Sequence, residues 1–332
     1  MKNIVWIFSA LIIGFLMPLA IFYFSGSVYK FSQAPSFIYF NNLNTASLSN
    51  LNNLEILLVG DIMMSRDVEN SVYKYSDGDF SSVFKEAGFI KNADISFANL
   101  EGPVSVSGKD QGNLYSFRFK PDALRALIDA GFDVLSVANN HAGDWGREAF
   151  EENIFRLKND DIWPVGGGVN KKDALLKVVE RDGVRVGFLG FSDVGPGWFA
   201  VKENKSGITL VDKNFENIIK NASRQVDILI VSIHFGEEYE ESSNDRQKEL
   251  ARLAIDAGAK VVAGHHPHVI QEVEAYNGGL IAYSLGNFIF DQNFSEETME
   301  GLALKVYFEG NEIVAVKQNK VKLNNLFQPS LE

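Results

Sequence analysis

Residues 259–268 read Ala-Lys-Val-Val-Ala-Gly-His-His-Pro-His. The apolar run Val261-Val262-Ala263 has the length and composition of a buried strand. Gly264 then leads into His265, His266 and His268, so three imidazoles stand at the exit of that strand. The chain holds only 5 histidines, and the other two, His141 and His234, also follow apolar strand-like runs. Histidines that serve solubility alone would be scattered along solvated segments, so this placement points to one shared site. His266 and His268, two apart, can converge on a metal ion from an irregular turn. A pentapeptide of this kind also arises as a surface turn or as a small cluster of hydrogen-bonded imidazoles. The surrounding pattern decides between these readings.

That pattern is an alternation of strands and helices. Residues 54–59 form an apolar strand ending in Gly60-Asp61, and residues 94–98 form another, ending in Asn99-Leu100-Glu101. Between them, residues 81–91 are expected to be helical. Pro121 opens a helix that Gly131 closes. Residues 133–137 are a strand ending in Asn139-Asn140-His141, and residues 146–159 a helix. A hairpin over 175–180 and 184–191 turns at Asp182-Gly183. A helix over 212–223 precedes the strand 226–233, which ends in His234-Phe235-Gly236; Asn244 caps the next helix and Gly258 stops it. Strands over 280–283, 302–308 and 313–321 complete the chain, the last two as a hairpin. The sum is an α/β fold with a mixed sheet or two packed sheets flanked by helices.

Asp61, Glu101, Asn140 with His141, His234, and His266 with His268 all lie just past the C-terminal ends of expected strands. In open α/β sheets that edge is where ligands bind. Two carboxylates, a carboxamide and several imidazoles make an oxygen and nitrogen donor set suited to Mn, Fe or Zn rather than to Ca or Mg. Six such residues exceed one tetrahedral zinc and can hold two divalent metal ions with a carboxylate between them. Paired ions of this kind sit about 3.5–4 Å apart and generate a hydroxide nucleophile near neutral pH.

Composition narrows the classes further. The chain of 332 residues, 46% of them hydrophobic, has ample material for one large domain or two smaller ones. The absence of cysteine excludes disulfides, thiolate metal sites and a cysteine nucleophile. A formal net charge of −12 argues against a nucleic-acid partner, which would call for basic patches. Residues 4–24 carry no charge and are long enough to cross a bilayer as a helix, with Lys2 before and Lys30 after. Residues 1–30 are therefore expected to be a single-pass signal anchor, with the bulk of the protein extracytoplasmic; a cleaved signal peptide is the alternative. Residues 31–53, rich in Ser and Asn, are expected to be a linker, and 54–325 the folded domain.

Six motifs in order resemble the CapA family of poly-γ-glutamate capsule biosynthesis proteins, within the calcineurin-like metallophosphoesterase superfamily. They are Val59-Gly60-Asp61-Ile62-Met63, Asn99-Leu100-Glu101-Gly102-Pro103, Ala138-Asn139-Asn140-His141, Ser232-Ile233-His234-Phe235-Gly236, His266-Pro267-His268-Val269 and Tyr283-Ser284-Leu285-Gly286-Asn287-Phe288. The resemblance covers roughly residues 54–292. It implies a metallophosphoesterase-like sandwich of mixed sheets and metal ligation by Asp61, Glu101, Asn140, His234, His266 and His268, with His141 as general acid. It also implies a place at the cell membrane in synthesis or export of poly-γ-glutamate or a related anionic polymer, with membrane synthase or export proteins as partners. A non-enzymatic, polymer-binding accessory subunit is the alternative. Met63 stands where the superfamily's Asp-x-His motif has histidine, and Ala142 where an acidic residue usually follows Asn-His. Asp144 is read first as a cap of the following helix and second as a carboxylate orienting His141. Glu238, in an acidic run, and Asn287, at another strand end, are expected to face substrate. Gly166-Gly167-Gly168 lacks the Lys-Ser/Thr of a phosphate loop and reads as a turn.

Overall fold

The computed structural model describes residues 38–39 and 54–332. The expected membrane segment at residues 4–24 lies outside them, as does the expected linker apart from Ile38–Tyr39. Among the described residues no helix is long and apolar enough to cross a membrane.

Alternation of side chains along the strands builds the layers. In β1 (Leu54–Ile62), Leu57 and Val59 face one core while Ile56 and Leu58 face another. The same division runs through β2 (Ile95–Leu100), with Ala98 and Leu100 on one side and Ile95 and Phe97 on the other. The first core is covered by α1 (Arg66–Ser76), α2 (Pro121–Ala130) and α3 (Gly146–Asn159), which contribute Val68, Leu127 and Phe150. Between α2 and α3 comes β3 (Val134–Ser136), and β4 (Trp163–Val165) follows α3. Strands β1 to β4 pair in parallel, in chain order.

The second sheet is built from β5 (Lys177–Arg181), β6 (Val184–Ser192), β7 (Ile228–His234), β8 (Val261–His265), β9 (Val273–Tyr276) and β10 (Gly279–Ala282). Its order is β9-β10-β8-β7-β6-β5, with the inner four strands parallel and both edge strands antiparallel. Phe188, Ile230 and Val261 face Ile56 and Phe97 of the first sheet, closing the sheet-on-sheet core. The Phe97 and Phe188 rings stack across it, centroids 6.0 Å apart. Full burial of a side chain this size contributes about 1.5–3 kcal/mol. Helices Phe215–Ser223 and Asp245–Asp256 cover the other face against Phe191, Val231 and Ile233. Asn244 caps the second of these in a reciprocal pair with Gln247. The architecture is a four-layer helix–sheet–sheet–helix sandwich.

The remaining strands, β11 (Asn287–Ile289), β12 (Glu300–Glu309), β13 (Glu312–Leu323) and β14 (Pro329–Leu331), extend the first sheet beyond β1. Before β11 the chain runs along the seam between the two sheets. Leu285 donates to the Gly264 carbonyl at 3.0 Å, and Asp61 donates to that of Gly286 at 2.9 Å. Two glycines make this approach possible: a Cβ at Gly60 would lie 2.0 Å from the Gly286 oxygen, and one at Gly264 would lie 2.0 Å from the Tyr283 oxygen. The C-terminal ends of β1 and β8 are thereby drawn together.

Two local expectations are corrected. The helix expected over 81–91 is instead a pair of 3-10 turns, Phe80–Phe84 and Gly88–Asn92. Asp79 caps the first turn, and the two turns bury Phe80, Val83 and Phe84, then Ala87 and Ile90, in the core under the helices. The triple glycine is not a free turn, because Gly167–Gly168 pairs with Gly207–Ile208.

Candidate metal centre

Parallel registers carry the donors to the C-terminal ends of strands in both sheets. Asp61 of β1 sits opposite Asn99 of β2, and His234 of β7 opposite His265 of β8. Asp61 is fully buried. Its carboxylate accepts from Asn99 Nδ2 at 2.9 Å, from His265 Nδ1 at 2.9 Å and from the His266 backbone at 3.2 Å. Burial alone would raise its pKa, but the hydrogen bonds from His265 and His268 win and hold the group well below the usual carboxylate range.

Glu101 leaves β2 by one residue and is also fully buried. Asn99 Nδ2 reaches its Oε2 at 3.3 Å, so one carboxamide spans both acids. Its Oε1 has no hydrogen-bond partner and lies 3.7 Å from His141 Nε2 and 3.6 Å from His268 Nε2. Burial pushes the Glu101 carboxyl well up, against the opposing pull of His268.

His234 Nε2 meets Asn140 Oδ1 at 2.8 Å, leaving its Nδ1 without a partner. The His266 ring stands 4.8 Å from that of His234, and its Nδ1 is likewise unpartnered. Burial holds His234 well below the usual imidazole range, and burial with the charge of His268 pushes His266 down to about 3. Both rings are therefore neutral, the form that offers a lone pair to a metal. At His268, burial is outweighed by the charge of Glu101 and the hydrogen bond to Asp61, and its pKa rises to about 9. The turn carrying these rings is left-handed, with φ of 101° at His266 and 60° at His268, and strained backbone of this kind clusters at functional sites.

These atoms form two groups. Asp61, Glu101 and His234 each offer a ligand atom within 4.8 Å of the others, and Glu238, His266 and His268 do the same. Buried polar atoms without partners are rare in folded proteins. Here Glu101 Oε1, His234 Nδ1, His265 Nε2 and His266 Nδ1 are all of that kind and lie at or just past the C-terminal ends of strands from the two packed sheets. The donor set fits divalent cations.

The remaining expected residues sort by environment. His141 Nδ1 contacts Asp144 Oδ2 at 2.7 Å, and Asp144 also accepts from Asn113 Nδ2 and the Phe117 backbone, each at 2.8 Å. Helix α3 starts with no side-chain cap, so the capping reading of Asp144 gives way to the orienting one. The Phe117 ring lies against His141 at 4.0 Å, and Arg66 lies over Phe117 at 5.0 Å. Asn287, expected to meet substrate, is fully buried. Its Oδ1 takes His268 Nδ1 at 3.0 Å, and its Nδ2 donates to Gln292 and Thr298. It fixes an imidazole. Met63 is fully buried in the core under α1, where its sulfur accepts from Ser65. The linking role of Asn99 was missed, although its spacing from Glu101 along one strand put both on the same face.

The sequence model of the family described as "Bacterial capsule synthesis protein PGA_cap" matches residues 55–292. The chain is 37% identical over 248 residues to "PGA biosynthesis protein CapA" of Bacillus subtilis (strain 168), covering 73% of this chain and 64% of that protein. It is 37% identical over 257 residues to "Capsule biosynthesis protein CapA" of Bacillus anthracis, covering 73% of this chain and 61% of that protein. The matched region thus spans less than two thirds of either relative. Among solved structures, a hypothetical protein from Thermus thermophilus superimposes with a TM-score of 0.51 at 15% identity, over 81% of this chain and 99% of that one. That likeness concerns the fold alone.

Proposed function

The chain belongs to the bacterial capsule synthesis protein PGA_cap family, within the metallophosphoesterase-like superfamily, and on that premise we propose that it acts in making or exporting poly-γ-glutamate or a related anionic surface polymer. In this reading Asp61, Glu101, Asn140, His234, His266 and His268 hold divalent cations, and the protein is a metal-dependent hydrolase. The observation that carries it is the Glu101 carboxylate, fully buried with an oxygen that no protein donor satisfies, amid unpartnered imidazole nitrogens. A buried acceptor oxygen left without a donor costs about 1–3 kcal/mol, more on a charged group. A bound cation removes that cost.

When bound, the cations would polarise a phosphoryl or carbonyl oxygen and lower the pKa of water. The chain's own residues supply the rest. Asp144 holds the His141 ring by its Nδ1, so that Nε2 faces Glu101 and can donate a proton to a departing group. Phe117 walls one side of that imidazole. Asn99 spaces the two carboxylates, and Asn287 sets the ring of His268.

An accessory, non-catalytic role has one observation in its favour. Met63 turns its sulfur to Ser65, so the Asp-x-His position contributes no imidazole. The two readings part at His141, which only proton transfer needs. Polymer production in cells carrying His141→Ala, set against His266→Ala, is the test; normal output from the first and none from the second would leave the accessory role standing. We also place the domain outside the membrane on an N-terminal anchor over residues 4–24. Protease added to intact cells should digest the domain, and a mature N-terminus beyond Gly26 would refute anchoring.

A further inference from the structure

The group at His266 and His268 contains a third member that the family's motifs leave unassigned. Glu238 follows β7 in a loop bent by two left-handed residues, Gly236 with φ of 95° and Tyr239 with φ of 67°. The Tyr239 backbone donates to the Pro267 carbonyl at 2.8 Å, and Gln292 donates to the Tyr239 hydroxyl at 3.1 Å. The loop is thereby tied to the turn that carries both imidazoles, and Glu238 keeps a fixed position relative to them. One of its carboxylate oxygens lies within 4.8 Å of the ligand atoms of His266 and His268. His266 is only 5% exposed and its Nδ1 is unpartnered, which points independently to a cation at this spot. Met63, at the position where the superfamily's first motif has histidine, is buried in the core.

Resting on the metal-centre reading above, we propose that the Glu238 carboxylate is a protein ligand of the divalent cation held by His266 and His268, in place of the imidazole absent at Met63. Exchanging a nitrogen donor for a carboxylate oxygen makes the set harder and moves its preference from Zn²⁺ toward Mn²⁺. The solvent-facing position of Glu238 puts this ligand at the mouth of the site, where it can exchange with incoming substrate oxygens.

The full-length chain, stripped with a chelator, is titrated calorimetrically with Mn²⁺ and separately with Zn²⁺, and bound metal is counted by elemental analysis. Glu238→Gln keeps the shape and removes the charge. It should lose at least about tenfold in Mn²⁺ affinity, the loss typical when even an outer metal partner is removed, with a smaller loss for Zn²⁺. Its metal-free melting temperature should match wild type, and Glu237→Gln should titrate as wild type does. If Glu238→Gln binds Mn²⁺ with unchanged affinity, the ligand role is wrong while the centre stands. If folded wild-type protein takes up neither ion, the centre itself fails and this proposal with it.

Discussion

The Asp144 carboxylate accepts a hydrogen bond from His141 Nδ1 at 2.7 Å, three residues along the chain. It stands in for the acidic residue that would follow Asn-His directly, a position filled here by Ala142. A carboxylate in this place fixes both the tautomer and the orientation of an imidazole. Asp144→Asn should therefore keep the metal content and lower turnover by about 100-fold, within the range of a positioned general acid. The loss should shrink on a substrate with an activated leaving group such as p-nitrophenolate, which departs without a proton. Equal losses on both substrates would assign Asp144 a purely structural role.

His266→Ala removes a neutral imidazole with an unpartnered nitrogen, whose ring stands beside Glu238 and His268. Metal and activity should disappear together, as read by elemental analysis on the purified chain. His141→Ala should retain full metal while losing turnover.

Stability at the seam rests on missing side chains. Gly264→Ala would drive a methyl group to 2.0 Å from the Tyr283 carbonyl oxygen, which is backbone and cannot swing aside. We expect a loss of about 3 kcal/mol, the upper end for overpacking, read as a lowered denaturant midpoint. Gly88→Ala meets nothing within 4 Å and should be neutral or slightly stabilising.

Glu152 supplies the pH dependence. It accepts from Ser105, from the Val106 and Ser107 backbones and from Arg156, anchoring the segment that follows Pro103. Burial would raise its pKa, but these hydrogen bonds lower it from 4.5 to about 2. A carboxylate depressed on folding contributes stability that is complete above its unfolded pKa and lost as pH falls through the folded one. Glu152→Gln should thus be less stable than wild type at pH 7, by about 1–2 kcal/mol for a charged acceptor. The gap should narrow below pH 4.5 and close near pH 2. Denaturant melts across that window decide it; a gap that stays constant with pH would show that the charge is immaterial.

The donors at the strand ends were legible because strand exits are written in one dimension. An apolar run followed by Gly-Asp, Asn-Leu-Glu or His-Phe-Gly announces both the strand and the residue at its tip. Asp61, Glu101, His234, His266 and His268 could be read in this way, and the structure sets them in two groups of donors. The helix over 81–91 was misread because burial at Phe80, Val83, Phe84, Ala87 and Ile90 has the spacing of one amphipathic helix, although two short turns carry it.

The sequence by itself determined the alternation of strands and helices, the absence of thiol chemistry and which metal-capable side chains stand at strand ends. Tertiary structure alone decided that Asp144 serves His141 rather than a helix end, that Asn287 serves His268, that Met63 faces the core and that Glu238 comes beside His266. These contacts depend on how two sheets and their connecting loops are set against one another. That arrangement comes from three separate cores and from the passage of residues 283–287 between Gly60 and Gly264. Local periodicity carries no record of it, because each contact joins side chains whose separation in space follows from the packing of the whole.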